Sequence, residues 1–387
     1  MDKSNNRSVW IVAGATALMM MGIGMVDPLL PDIARHIGAS PWQVELLFTT
    51  YILTMAVCMI PISVLSARFG SRRTILFGLA MAATFAVACG LSDSITALAF
   101  LRGGWGLGNA ALFATAMITV LALAGRHAGT ALGRFEGAFA VGLALGPLVG
   151  GVLGSISWRA PFFGAGTMFA ATFVASYLLI REPPADPAEH PRLRDLAAAL
   201  RVRPFLLLTL IAAAYYFCFF TVLAYTPLYL DLGVLPLGIV FSLWGLGAGI
   251  GSISLSDRLI RRRGLVRAPL VSLPVLSALV LTILLTGDRG LIIILVILSG
   301  LAFGTTNAIF TDLAIDVSSH GRRVASGAFN FMRWLGASVG PVLAGLLSAV
   351  APKLPYAVVL LLLVTSFLAL FLGRSSLEAA VRETALA

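Results

Sequence analysis

Twelve apolar runs, each about as long as a helix must be to cross a hydrocarbon layer, follow one another along the chain with short polar breaks between them. Hydropathy with Gly, Pro and charge punctuation places them near residues 9–31, 43–65, 74–91, 95–121, 130–155 and 160–180, then 204–230, 235–256, 265–286, 291–316, 324–350 and 355–373. A soluble fold could not hide that surface. Of the 387 residues, 59% are hydrophobic and 11% charged, against roughly 25% charged in a soluble domain. The pattern predicts an all-α integral membrane protein of twelve transmembrane helices.

The first run, Val9 to Leu30, is too long for a signal-peptide core and is followed by no convincing small-residue cleavage site, so it is expected to remain as helix 1. Cys58, Cys89 and Cys218 all fall inside predicted spans, and no disulfide is expected. His36, His127, His190 and His320 are scattered without zinc spacing, so no metal site is expected.

A net charge of +10 raises the question of nucleic acid, which the placement of the charges answers. With the N-terminus cytoplasmic, the loops on that side carry Arg68, Arg72, Arg73, Arg126 and Arg134, then Arg181, Arg192, Arg194, Arg201 and Arg203, then Arg258, Arg261, Arg262, Arg263, Arg267, Arg322 and Arg323. The termini add Lys3, Arg7, Arg374 and Arg382; the opposite side holds Arg35, Arg159, Arg289 and Lys353. This positive-inside pattern predicts a multi-pass protein of the inner membrane with both termini cytoplasmic. The charge then serves topology and the anionic headgroups of the lipid bilayer, and no nucleic-acid partner is expected.

Two sequence words recur about half a chain apart. GPLVGG at Gly146–Gly151 is matched by GPVLAG at Gly340–Gly345, with Gly142 and Gly133 matched by Gly336 and Gly327, an offset of 194; LSAR at Leu65–Arg68 is matched by LSDR at Leu255–Arg258, an offset of 190. Such offsets predict two six-helix bundles related by a pseudo-twofold axis along the membrane normal: an N-terminal bundle over 1–180, a cytoplasmic linker over 181–203, a C-terminal bundle over 204–373 and a cytoplasmic tail over 374–387. The linker, with Pro183, Pro184, Pro187 and Pro191 before a helix-like RLRDLAAALRVR, reads as lying on the membrane surface.

Three segments carry mechanism. In helix 5, Gly142, Gly146, Gly150 and Gly151 form a groove for close helix approach, and Pro147 leaves one carbonyl without its helical donor and permits a bend. Ordinary glycine packing is the competing reading, because Gly340 and Pro341 repeat the word in helix 11. After helix 2, Ser63–Leu76 reads SVLSARFGSRRTIL; in helix 4, Leu101–Ala111 reads LRGGWGLGNAA. On these residues, and over nearly the whole chain, the sequence resembles the major facilitator superfamily (MFS) and within it the twelve-helix drug:proton antiporters.

The resemblance implies an MFS fold, export through the GPxxGG helix, and gating or conformational roles for Arg68, Gly70, Arg72, Arg73, Gly142, Gly146, Pro147, Gly150, Asp257 and Arg258, with Gly340 and Pro341 in the second copy. The family loop reads roughly GxLADRxGRRxxL. Here Ser63 replaces the first glycine and Ala67 the acidic position, so the lock that this carboxylate provides in the family is either weaker or supplied by Glu136 or Asp316. The second copy, Ser256–Gly264, retains Asp257 and Arg258. A plain topology signal is the alternative for these arginines. The helix 4 pattern RxxQGxGxA is matched except for Trp105 where glutamine is usual.

Arg102 is a charge inside the hydrocarbon region, which costs at least ~2.5–3.5 kcal/mol unless paired or hydrated. Asp27, in VDPLLPDI of helix 1, is the expected partner. At about 1.5 Å per residue, Asp27 lies ~27 Å from the inner start of helix 1 and Arg102 ~12 Å from the outer start of helix 4. The expected proton switch is Arg102 holding Asp27 ionised until substrate or closure separates them, whereupon the freed carboxylate takes up a proton. A helix-end salt bridge with no transport role is the alternative. Glu136 is a second protonation candidate or a solvated interfacial charge. Asp312 and Arg333 form either a structural pair or a binding or gating element.

The substrate cavity is expected at the midplane between the halves, with a low-charge, aromatic and Met-rich lining: Met20, Tyr51, Met55, Trp105, Asn109 and Phe113, with Tyr216, Phe220, Asn330 and Arg333 from the second half. Arg102, Trp105, Asn109 and Phe113 share one helical face. Such a lining suits varied apolar cargo, and the resemblance then implies proton-coupled efflux of small, largely apolar or amphipathic compounds. No cofactor other than the coupling proton is expected. An ATP-driven pump is disfavoured, since neither Lys3 nor Lys353 follows a Gly-rich phosphate loop. No histidine in a span sits beside a nucleophile, so an enzyme is not expected. The alternatives are a proton symporter or facilitator of a sugar, organic acid or lipid-like metabolite and, more remotely, a non-transporting membrane receptor. A monomer is the oligomeric state that the resemblance implies.

Overall fold

In a lipid layer the backbone has no partner but itself, so apolar runs this long close into helices. The computed structural model describes residues 3–124, 128–180, 182, 193–318 and 322–386. Its helices are α1 (Lys3–Gly24), α2 (Leu30–Ile37), α3 (Pro41–Phe69), α4 (Ser71–Leu91), α5 (Ile95–Ala124), α6 (Ala128–Gly154), α7 (Ala160–Leu179), α8 (Leu193–Ala199), α9 (Arg203–Leu230), α10 (Val234–Ile250), α11 (Ser256–Arg263), α12 (Pro269–Leu285), α13 (Arg289–Val317), α14 (Arg322–Ser348) and α15 (Leu354–Leu386). Eleven helical spans among the described residues are long and apolar enough to cross a membrane, and α12 is a further apolar helix of 17 residues. The protein is a multi-pass, all-α membrane protein.

The chain divides into two compact units, the first comprising Met1–His190 with Asp231–Ser242 and the second Pro191–Leu230 with Leu243–Ala387. The first turns of α10 therefore group with the first unit. In that unit α5 packs on α3 and α4, while α1 packs on α6 and α7; the second unit repeats these pairings as α13 with α12 and the π-helical turn Gly251–Leu255 that ends α10, and α9 with α14 and α15.

The repeated glycines explain one pairing in both units. A Cβ on Gly142 or Gly146 of α6 would run into the α1 backbone at Ala17 or Met21, one on Gly150 into the backbone of Met25 just after α1, and one on Gly336 or Gly340 of α14 into the α9 backbone at Ala213 or Phe217. Four-residue steps on both helices keep one face of each in backbone contact. The short turns after α3 and α11 are also equivalent: Gly70 (φ 90°) and Gly264 (φ 82°), again 194 apart, both occupy the left-handed region that side chains resist. By this landmark the LSAR and LSDR words do not coincide. Asp257 lies seven residues before its turn glycine and position 67 only three, so the retained Asp257 sits a helical turn further from the loop.

A third equivalence had no sequence signature. Arg159 donates to the carbonyls of Gly90 (3.0 Å) and Ser92 (3.4 Å) at the end of α4, and Lys353 to those of Leu284 (2.9 Å) and Thr286 (2.7 Å) at the end of α12. All three pairs of positions are 194 residues apart. A cation satisfies the last, unpartnered carbonyls of a helix and its negative dipole end. Finally, α15 continues past residue 373 as helix to Leu386, held by the buried Leu377 and by Glu378 accepting from Arg267 (2.9 Å).

Candidate functional site

Asp27 stands where α1 breaks. Pro28 and Pro31 have no N–H to give to the carbonyls of Gly24 and Asp27, so the helix gives way to a 3-10 turn at Asp27–Leu29 and restarts as α2. The GPxxGG segment of α6 packs on this break: Gly24 has no room for a Cβ because Pro147 Cδ would lie 2.8 Å from it, and Gly150 faces Met25. Asp27 is fully buried, and neither carboxylate oxygen accepts a hydrogen bond from any described residue.

Arg102 of α5 is fully buried as well, but it does not form the expected ion pair. No contact within 4 Å joins it to Asp27, although the two are near enough to interact electrostatically. Its guanidinium carbon lies 4.3 Å from the Tyr51 ring centroid, 4.7 Å from that of Trp105 and 6.0 Å from that of Phe48. Nε donates to the Leu47 carbonyl at 3.3 Å, while both terminal nitrogens find no acceptor among the described residues. The physical reason is the aromatic lining, whose ring faces attract a cation when water is excluded. Trp105, in the position usual for glutamine, builds that lining: its indole meets Tyr51 (6.1 Å) and Phe169 (5.9 Å) edge to face and packs on Gly22.

Asn109 completes the cluster, donating to the Tyr51 hydroxyl and to the Met19 carbonyl (3.4 Å). Thus Arg102, Trp105 and Asn109 converge on Tyr51 from one face of α5. Met20 and Met55 are buried, and Phe113 is half-buried. Sequence reading missed Glu45, one turn into α3, whose side chain is fully buried with both oxygens unpartnered and within electrostatic reach of Asp27. Its signal was available, since it lies inside an apolar run where a charge is expensive. Glu136 is in α6, but its side chain lies outside the described residues.

The second unit has its own caged arginine. Arg333 of α14 lies 5.0 Å from the Tyr216 ring centroid, 5.3 Å from Phe329 and 5.8 Å from Trp334. It donates to Thr311 Oγ1 at 3.4 Å and does not pair with Asp312, which is exposed and within electrostatic reach of two like charges, Asp316 and Asp257. Tyr216 donates to Asn307 of α13, a residue that sequence reading also passed over. Phe220 is buried against Trp334 (5.7 Å), and Asn330 donates to Ser326 Oγ (3.2 Å).

At the loop after α3, Arg68 and Arg73 are exposed, and Arg72 lies over the Tyr177 ring (5.5 Å). Among the described residues, Glu182 brings a carboxylate to this loop; the side chain of Glu136 lies outside them. Glu182 lies against Gly70 and accepts from the Arg72 backbone N–H (3.4 Å), at the N-terminus of α4 where an anion is favoured. In the second unit Arg258 is exposed and Asp257 pairs with Arg261 at 3.8 Å.

Eleven apolar spans in two compact units, with charged side chains buried among them, define a polytopic membrane protein rather than a soluble or single-pass one. The profile of the Major Facilitator Superfamily matches residues 12–341, and the chain belongs to this family of membrane transporters. It is 38% identical over 378 residues to the multidrug efflux protein YfmO of Bacillus subtilis, covering 97% of this chain and 95% of the relative. It is also similar to the quinolone resistance protein NorA of Staphylococcus aureus, at 26% identity over 46% of each chain. Among solved structures, a bacterial homologue of the human lysosomal transporter Spinster, in an inward-facing and unoccupied conformation, shares the fold with a TM-score of 0.77 at 18% identity, covering 99% of this chain and 98% of the other.

Proposed function

We propose that this transporter exports small, largely apolar or amphipathic compounds, drugs among them, in exchange for protons, by alternating access in the inner membrane with both termini cytoplasmic. The observation that carries the reading is Asp27: a fully buried carboxylate with no hydrogen-bond donor, set on a helix break, near a guanidinium whose terminal nitrogens are free. Burying such a group is unfavourable unless it is neutralised or paired. It therefore exchanges between a proton and the charge of Arg102 or of a bound cation. Kinship to a multidrug efflux protein over almost the full length supports the direction and the cargo class, and the distribution of Arg and Lys supports the orientation.

The test is accumulation of a lipophilic fluorescent cation by inverted vesicles containing the protein, with the pH gradient imposed or collapsed. Uptake is expected to vanish with the gradient and in Asp27→Asn, with folding retained. Gradient-driven uptake unchanged in Asp27→Asn would sink the assignment. A second reading, carriage of an anionic metabolite, is favoured by Arg333, whose Nε finds no acceptor among the described residues. No gradient-driven movement across a panel of cations, with movement of an organic anion lost in Arg333→Met, would select it.

A further inference from the structure

Asp27 and Arg102 account for one negative and one positive charge, and Glu45 is left over. The charged group that acts most directly on it is Asp27, a second carboxylate. Arg102 acts on Asp27, and among the described residues the other titratable groups facing the cluster are Tyr51 of α3 and Cys89 of α4, both of which interact with Arg102. Asp32, Arg35 and His36 of α2 are engaged elsewhere, in the Arg35 pairs to Asp32 and Asp231 (2.9 Å) and the His36 contact to the Asp32 carbonyl (2.9 Å).

Two carboxylates and one guanidinium, all fully buried, leave one uncompensated negative charge when every group is ionised. One proton makes the cluster neutral, and neutrality is the composition that a water-excluded site favours. We propose that Glu45 is a second proton-binding carboxylate of the transport site, which with Asp27 holds one proton against the fixed charge of Arg102 and yields it to a monovalent lipophilic cation. This inference rests on the proton-exchange reading above and names its cargo. The exchange balances: the proton passes from a carboxylic O–H to water, the site becomes singly negative, and the incoming cation restores neutrality.

The idea separates Glu45 from a buried acid that only supports packing. Purified protein is titrated with tetraphenylphosphonium, and the protons released per bound cation are read by calorimetry in buffers of different ionisation enthalpy. Wild type is expected to release about one proton per cation, the charge balance of the cluster. Glu45→Gln leaves one carboxylate for one guanidinium, so it is expected to release none and to bind more than about tenfold more weakly. Glu45→Asp retains the acid, and its release is expected to persist with the pH midpoint displaced from wild type.

Equal release by Glu45→Gln and wild type overturns the assignment and leaves Asp27 as the sole carrier. Should Glu45→Gln not fold, a Glu45→Asp profile superimposed on wild type overturns it instead. A wild-type protein that fails to bind the cation, or binds it with no proton released, removes the proton-exchange reading itself and this inference with it.

Discussion

Arg102 and Arg333 solve the same problem in different company. Each is a guanidinium buried among aromatic rings and fixed by one long hydrogen bond, to the Leu47 carbonyl in one case and the Thr311 hydroxyl in the other. Each also stands near a tyrosine hydrogen-bonded to an asparagine of the neighbouring helix, Tyr51 with Asn109 and Tyr216 with Asn307. In the first unit two carboxylates are buried, Asp27 within electrostatic reach of Arg102 and Glu45 within reach of Asp27, while Arg333 donates to Thr311 and pairs with no carboxylate among the described residues. Ring faces can carry the cation in both units. The carboxylates are therefore not required to bury the arginine, and among the described residues fully buried ones occur only in the unit to which the proton exchange is assigned by our proposal.

The largest effect should separate the two cages. Arg102→Met is expected to lower gradient-driven transport by more than about 100-fold, whereas Arg333→Met should change cargo preference and apparent affinity with turnover largely kept. Equal collapse of both in the vesicle assay would break the comparison. Packing should show the opposite, near-equivalence. Gly142→Ala and Gly336→Ala each push a Cβ into a facing backbone, and each is expected to cost about 1–3 kcal/mol, measured as a lowered thermal midpoint in detergent. A loss confined to one glycine would mean that the duplicated ladders are not equivalent. The smallest effect belongs to the helix-end cations: Arg159→Ala and Lys353→Ala should each remove about 1 kcal/mol and leave coupling intact.

Much of this architecture is legible in the sequence because lipid enforces it. Spans, their number and the glycine spacing at 142, 146, 336 and 340 follow from rules that tolerate few exceptions. The site is less so. Asp27 and Arg102 stand out as charges inside apolar runs, but a pairing rule drawn from water-excluded electrostatics expects them to touch, and only the rings of Phe48, Tyr51 and Trp105, gathered from two helices, show why Arg102 turns elsewhere. Glu45 carries the same signal, a charge inside an apolar run, but its place one turn from the start of α3 lets it pass for an interfacial charge. Glu182 was hidden by lying 115 residues from position 67, whose missing acid it stands near; only the folded chain brings it to Gly70. The caps formed by Arg159 and Lys353 share chemistry but not residue type, so no matching of words reveals them.

The break in α1 has a mechanical meaning. A straight helix resists flexing because each bend must stretch or sever hydrogen bonds along one side. At Gly24 and Asp27 those bonds are already missing, since prolines stand four positions on. The joint is cut in advance, and the acid rides on it with the glycine track of α6 pressed against its near side. A change of one charge at Asp27 would thus act at the joint that ends α1, and under the proposed exchange the gain or loss of a single proton becomes angular motion of a rod about thirty ångströms long.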